Sequence, residues 1–217
     1  MVAPEVKFCG LTRAADAAVA AEVGAGYAGA IFAGGPRLLD AARANAMFDG
    51  LAGSPVRRAG VFGASALDDI VRIADATRLH VLQLHDGATA DRILSLRKRF
   101  DGAIWAVVRV SGGTLDAVSE TVFAAVDAVV LDTAVGGRSG GTGVAFDWSG
   151  SAAAVRQVSA RCPVVLAGGL RPSNVREAVR LLAPRVVDVS SGVESAPGIK
   201  DPELMRAFAL SARPYEA

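Results

Sequence analysis

The chain has 217 residues, a formal net charge of +1, and 52% hydrophobic against 6% aromatic residues. That is enough for one large or two small domains with a sizeable core, and it excludes the disordered and fibrous classes. The arginines stand singly rather than in basic blocks, which argues against nucleic acid as a partner. No apolar run approaches a membrane span or a secretory leader, so the expected compartment is the cytoplasm.

In chain order, β-rich runs at 5–9, 27–32, 56–62, 79–84, 103–110, 127–132, 163–167 and 186–190 predict strands. Between and after them, Ala-rich amphipathic patterns at 13–23, 40–51, 66–76, 88–99, 114–123, 149–159, 172–182 and 202–211 predict helices. Thr12, Asp40 and the pair Asp201-Pro202 supply helix-start signals. Eight strand–helix units with no break in composition predict a single α/β domain over 1–217, a (β/α)₈ TIM barrel. Such barrels usually take ~250 residues, so this one is trimmed. The alternative is an open doubly wound sheet, whose G-x-G-x-x-G fingerprint is replaced after the first strand by "CGLTRAAD". One connection is long: the glycine-rich stretch 133–147, "TAVGGRSGGTGVAFD". It lacks the Gly-Lys-Ser/Thr closure of a Walker loop and reads as either a flexible loop or an active-site lid.

Barrel active sites form at the C-terminal ends of the strands, so the residues that end each strand carry the information. Strand one ends in Cys9. In "VLQLHD", period-two alternation turns Gln83 and His85 inward and leaves Leu82 and Leu84 for the helix layer. Strand six ends in Asp132. Cys162 precedes strand seven, at the opposite end of the barrel from Cys9. Strands of this length separate their ends by ~15 Å, whereas a disulfide needs Cα atoms within ~7 Å. Two free thiols are therefore expected. After strands seven and eight, Gly168-Gly169, a helix opened by Pro172, and Ser190-Ser191-Gly192 form the paired turns that hold phosphate in this fold.

The motifs "KFCGLT", "LQLHD", "VLDT", "GGTG", "LAGGLRPSNV" and "VDVSSGVESAPGIKD" stand in order between Lys7 and Asp201. Together they resemble the phosphoribosylanthranilate isomerases of tryptophan biosynthesis. The resemblance implies a small barrel enzyme that uses no metal or organic cofactor and acts on a small molecule, phosphoribosylanthranilate. The reaction is an Amadori rearrangement. It further implies Asp132 as general acid at the furanose ring oxygen and Cys9 as general base at the sugar's C2. Cys9 then needs thiolate character, from a nearby cation or a helix N-terminus. Arg37 would meet the anthranilate carboxylate, Asp188 a ribulose hydroxyl, and Gln83 and His85 the anthranilate side. Gly168, Gly169, Ser190, Ser191 and Gly192 would bind phosphate. The "AGGPR" lead-in to Arg37 is shorter and less bulky than the family's, and Val144 stands where a lysine often follows "GGTG". If that loop turns Arg37 to solvent, Arg109 or Arg138 becomes the carboxylate partner.

No metal is expected, because Cys9, His85, Asp132 and Asp188 come from strands spread around the mouth rather than clustered for tetrahedral coordination. Related readings fit less well. Indole-glycerol-phosphate synthases rely on a lysine–glutamate constellation, and here only Lys7, Lys98 and Lys200 are available. Bifunctional histidine/tryptophan isomerases pair two aspartates, where this strand one ends in cysteine. A Schiff-base aldolase could use Lys7, which shares a face with Cys9. A catalytically dead phosphate binder would need neither Cys9 nor Asp132. Monomer and homodimer are both compatible with the sequence.

Overall fold

A computed structural model describes residues 3–111, 114–135, 138–139 and 146–213. Eight parallel strands close into a barrel: β1 (Glu5–Phe8), β2 (Tyr27–Ile31), β3 (Arg57–Phe62), β4 (Val81–Leu84), β5 (Ala103–Ser111), β6 (Ala128–Val135), β7 (Val164–Leu166) and β8 (Val186–Val189). Neighbours in sequence pair side by side, and β1 pairs with β8 to close the ring. The helices lie between the strands: α1 (Ala14–Glu22), α2 (Ala41–Phe48), α3 (Leu67–Thr77), α4 (Ala90–Arg97), α5 (Glu120–Ala125), α6 (Trp148–Ser159), α7 (Val175–Leu182) and α8 (Pro202–Ala212). Among the described residues no helix is long and apolar enough to cross a membrane.

Period-two alternation sorts each strand into two layers. Val6, Phe8, Leu82, Leu84, Val129, Leu131, Val187 and Val189 face outward into the core shared with the helices. Inside the barrel Tyr27, Ala59, Val81, Trp105, Ala128, Val130, Val165 and Val186 form a second apolar cluster. Tyr27 and Trp105 meet edge to face there, with centroids 4.8 Å apart. This plug closes the N-terminal end. The inward positions nearer the C-terminal end are Lys7, Cys9, Gln83, Asp132 and Asp188, all at most 9% exposed. Four of the five, Lys7, Gln83, Asp132 and Asp188, are charged or amide side chains that are costly to bury, and they stand on the inner face at one end.

Local differences from the sequence reading have physical causes. Asp40 caps α2 by accepting from Arg43 N at 2.8 Å, and Asp201 caps α8 with Pro202 at the first helical position. Thr12 does not cap α1. Its hydroxyl donates to the Gly198 carbonyl, and Arg13 occupies the cap position. The segment expected to be helical from 114 begins instead with Thr114–Leu115 folded back antiparallel on β5. Ser111 pairs with Thr114 across two glycines of sequence, a hairpin spacing that overrides the weak helical pattern. Ser119 then starts α5 by accepting from Val122 N. Helix α7 begins at Val175 rather than Pro172, because Asn174 is spent bracing the preceding turn. It accepts from Arg171 N at 2.8 Å and donates to the Gly169 carbonyl at 3.0 Å. Of the glycine-rich stretch read as a flexible loop or a lid, residues 136–137 and 140–145, Val144 included, lie outside the described residues.

Candidate active site

All eleven residues singled out from the sequence line one pocket at the C-terminal mouth: Cys9, Arg37, Gln83, His85, Asp132, Asp188, Gly168, Gly169, Ser190, Ser191 and Gly192. Cys9 follows β1 directly and is anchored by its N–H to the Val189 carbonyl at 2.8 Å. Gly29 on β2 makes room for it: a Cβ there would lie 3.4 Å from both Cys9 Sγ and Lys7 Cε. Asp132 lies on β6, three strand positions around the ring from β1. The two candidate proton-transfer groups therefore face each other from separate sides of the mouth.

Beneath them sits an ion pair whose partners the sequence reading did not bring together. Lys7 and Asp188 are register partners on β1 and β8, and Lys7 Nζ donates to Asp188 Oδ2 at 2.9 Å. The lysine side chain is fully buried. Burial opposes its charge, but Asp188 and Cys9 outweigh that and raise its pKa. A Schiff-base nucleophile must be a neutral amine, so an ammonium held this way does not suit the aldolase reading. The signal was present: a charged residue at an inward strand position two before Cys9.

Cys9 stands between opposed influences. Burial pushes its thiol pKa up, Lys7 pulls it down, Asp188 pushes it up again and Lys200 pulls it down, with a net rise. The cations expected to favour the thiolate are thus Lys7 and Lys200. Both cysteines are free, and Cys162 is buried at the far end of the barrel. Burial likewise lifts the Asp132 carboxyl, with His85 opposing and Asp188 reinforcing the rise. His85 is pushed down by burial, which leaves a neutral imidazole at physiological pH. The two aspartates are thereby differentiated. Asp188 carries an ammonium on one oxygen, whereas among the described residues no cation lies within salt-bridge distance of Asp132.

Arg37 does not swing out to solvent. Its Nε and Nη2 donate to Glu194 Oε1 and Oε2 at 2.7 and 2.6 Å, and Lys200 Nζ donates to the same Glu194 Oε1 at 2.8 Å. Glu194 and Lys200 also escaped the sequence reading. They are cross-strand partners of a small hairpin, Glu194–Ala196 with Ile199–Lys200. Arg109 pairs with Asp86 at 2.9 Å and does not line the pocket, while the Arg138 side chain lies outside the described residues.

The turns after β7 and β8 pack tightly. Gly168 has φ +83°, and a Cβ there would meet Thr133 Oγ1 at 2.3 Å and Asp132 Oδ1 at 2.9 Å. A Cβ on Gly192 would fall 1.9 Å from the Leu170 carbonyl oxygen, so that glycine lets the two turns touch. Among the described residues, buried Gln83 Oε1, Asp188 Oδ1 and Ser190 Oγ at the pocket, and Thr133 Oγ1 beside Gly168, find no hydrogen-bond partner. Buried polar atoms are rarely left so. Three of them, on Gln83, Asp188 and Ser190, converge on the pocket and suit a ligand rich in hydroxyl and phosphate oxygens. Among the described residues no three His, Cys, Asp or Glu side chains cluster to hold a metal.

Comparison with known proteins agrees with this geometry. The family model described as N-(5'-phosphoribosyl)anthranilate (PRA) isomerase matches residues 6–210. The isomerase of Syntrophus aciditrophicus is 39% identical over 98% of this chain and 88% of its own, and that of Methanopyrus kandleri is 39% identical over 96% and 98%. The crystal structure of the Thermotoga maritima isomerase superposes with a TM-score of 0.81 at 30% identity, covering 96% of this chain and 98% of that one. A related structure, at TM-score 0.77 with the same identity and coverage, contains reduced 1-(o-carboxyphenylamino)-1-deoxyribulose 5-phosphate. The chain belongs to the N-(5'-phosphoribosyl)anthranilate isomerase family.

Proposed function

We propose that Cys9 and Asp132 are the base and acid with which this isomerase performs the aldose-to-ketose rearrangement of phosphoribosylanthranilate in tryptophan biosynthesis. The observation that carries the assignment is their placement across one pocket, above the buried Lys7–Asp188 pair. The carboxylic acid of Asp132 protonates the furanose ring oxygen, and the C1–O bond breaks as the anilino nitrogen supplies electrons. The thiolate of Cys9 removes the proton from C2 of the resulting iminium. The enolamine so formed tautomerises to the aminoketone. One proton is given and one taken, as an isomerisation requires. The competent state holds a single proton on Asp132 and none on Cys9. Lys7 stabilises that thiolate from below, and the cationic iminium stabilises it from above.

The orphaned Asp188 Oδ1 accepts from a ribulose hydroxyl, while its other oxygen stays on Lys7. The turns at Gly168-Gly169 and Ser190-Ser191-Gly192 hold the phosphate. Arg37 presents its remaining edge to the anthranilate carboxylate, with Gln83 and His85 lining that side. The reaction belongs to the cytoplasm in this reading, with the protein a monomer or homodimer; the Thermotoga maritima relative is described as dimeric. The test is complementation of a tryptophan auxotroph lacking this step, followed by direct assay of the purified enzyme. Cys9→Ala and Asp132→Asn should each lower kcat by roughly 10²–10⁴ with product affinity retained. Near-normal turnover in either variant would overturn that residue's role.

A further inference from the structure

Arg37 has five N–H donors on a planar fork. Two of its nitrogens, Nε and Nη2, are committed to both oxygens of Glu194. That leaves the edge formed by Nη1 and the second Nη2 hydrogen, on a side chain that lines the pocket. The guanidinium is therefore aimed rather than loose, and three observations show how firmly. A Cβ on Gly10 would lie 2.5 Å from Arg37 Cδ, so the stem runs in a channel that only glycine leaves open. Glu194 is itself fixed by the fully buried Lys200, whose Nζ also donates to the Ser190 carbonyl at 3.0 Å. Lys200 is in turn tied down, its N–H donating to Asp16 Oδ2 at 3.2 Å and its carbonyl accepting from Arg13 Nη2 at 3.0 Å.

The charge arrangement has the same direction. Burial opposes ionisation of Glu194, yet Arg37 and Lys200 hold its carboxyl down to about 2. It remains an anion throughout the working range, between two cations. A carboxylate placed beside the only free edge of an arginine repels a second carboxylate unless that charge is over-compensated. Lys200 supplies the compensation and leaves the cluster Arg37–Glu194–Lys200 with one net positive charge for an incoming anion.

We infer that Glu194, held by Lys200, is a positioning residue that aims Arg37 at the carboxylate of the substrate's aromatic ring. It touches no substrate atom and acts through Arg37. The inference rests on the assignment of Arg37 to the anthranilate carboxylate and goes beyond it, because it states what keeps the guanidinium in place and makes the discrimination specific to a carboxylate.

The experiment uses two probes with the full-length enzyme. One is reduced 1-(o-carboxyphenylamino)-1-deoxyribulose 5-phosphate; the other is its analogue with aniline in place of anthranilate. Wild type should bind the carboxylated probe more tightly, and Arg37→Ala should abolish the difference. Failure of either result refutes the role of Arg37 itself. Given that role, Glu194→Gln should weaken the carboxylated probe roughly tenfold, the scale of one charge-assisted hydrogen bond, and leave the aniline probe within about twofold. It should raise KM with kcat little changed, as loss of uniform binding does. Added to Arg37→Ala, it should cost nothing further on either probe. Glu194→Asp, which keeps the charge but withdraws it, should fall between wild type and Glu194→Gln and serves if the glutamine variant folds poorly. Equal weakening of both probes, no weakening of either, or additivity with Arg37→Ala would overturn the inference.

Discussion

Replacing Lys7 by methionine tests the centre of the barrel directly. Methionine keeps the unbranched stem and removes the ammonium, so little packing is lost. What changes is Asp188. In the wild-type chain its Oδ2 accepts from Lys7 Nζ at 2.9 Å, while its buried Oδ1 has no partner among the described residues. The two side chains are 0% and 5% exposed, so water cannot take over when the lysine is gone. Deleting one member of a buried pair leaves an uncompensated charge and typically costs about 3–5 kcal/mol, against ~1 kcal/mol or less for the surface pairs of this protein. The sign with pH follows from the raised group. Lys7 has a raised pKa in the folded state, so its contribution is complete below the unfolded lysine value near ~10.4 and is lost only above it. In Lys7→Met the carboxylate is left buried with no cation beside it, and that is the deficit to be measured. Asp188→Asn in the Lys7→Met background should recover most of it. Urea unfolding at pH 7 for the two single variants and the double variant measures the whole cycle. A loss below about 1 kcal/mol at pH 7, or a double variant no better than Lys7→Met, would refute the pair as described.

Two further outcomes follow from the site. Asp132→Asn should lower kcat by roughly 10²–10⁴ yet raise Tm at pH 7, because burial lifts the folded carboxyl pKa and ionisation at neutral pH is a cost that asparagine removes. The contribution of Asp132 to wild-type stability is complete below the unfolded value near ~3.9 and is lost as pH rises through the raised one, so the variant's advantage should vanish towards pH ~4; an advantage that persists there would point to repacking instead. Gly168→Ala places a methyl group at a φ of +83° and within 2.9 Å of Asp132 Oδ1. It should cost about 1–2 kcal/mol from the backbone alone and lower kcat more than it raises KM, as read by calorimetry and steady-state kinetics; unchanged kcat would mean that Asp132 does not depend on that turn.

The barrel was legible because its signal is local and repeated. Each strand pattern declares two faces, and eight of them with helical patterns between leave little choice of fold. The inward assignment of Gln83, made from the apolar character of Leu82 and Leu84, agrees with both clusters in the structure. Boundaries failed where a single side chain had two possible partners. Thr12 satisfied a distant carbonyl in place of the next helix, and Asn174 served the turn before α7, which delayed that helix to Val175. No local pattern ranks such choices, because the competing acceptor lies 186 residues away for Thr12.

The site was legible in its reacting groups and illegible in what conditions them. Cys9 directly follows β1, and Asp132 is an inward polar residue of β6, which runs on to Val135 rather than ending at Asp132; each is conspicuous against the apolar residues before it. Lys7, Glu194 and Lys200 are conspicuous only once register is known. Lys7 meets Asp188 because β1 and β8 close the ring in a particular stagger, and Glu194 meets Lys200 because a short hairpin aligns them. Both pairs are buried, and both have a spare interaction directed at the pocket: an orphaned oxygen on Asp188, an unused edge on the Arg37 that Glu194 holds. Burying an ion pair does little for net stability, so stability alone is a poor reason for either. Each makes sense as the fixed half of an interaction that ligand completes. Lys7 holds one oxygen of Asp188 and leaves the other turned towards a hydroxyl, and it keeps positive charge beneath Cys9. Asp132, without such a cation, is left free to hold the proton that the reaction spends first.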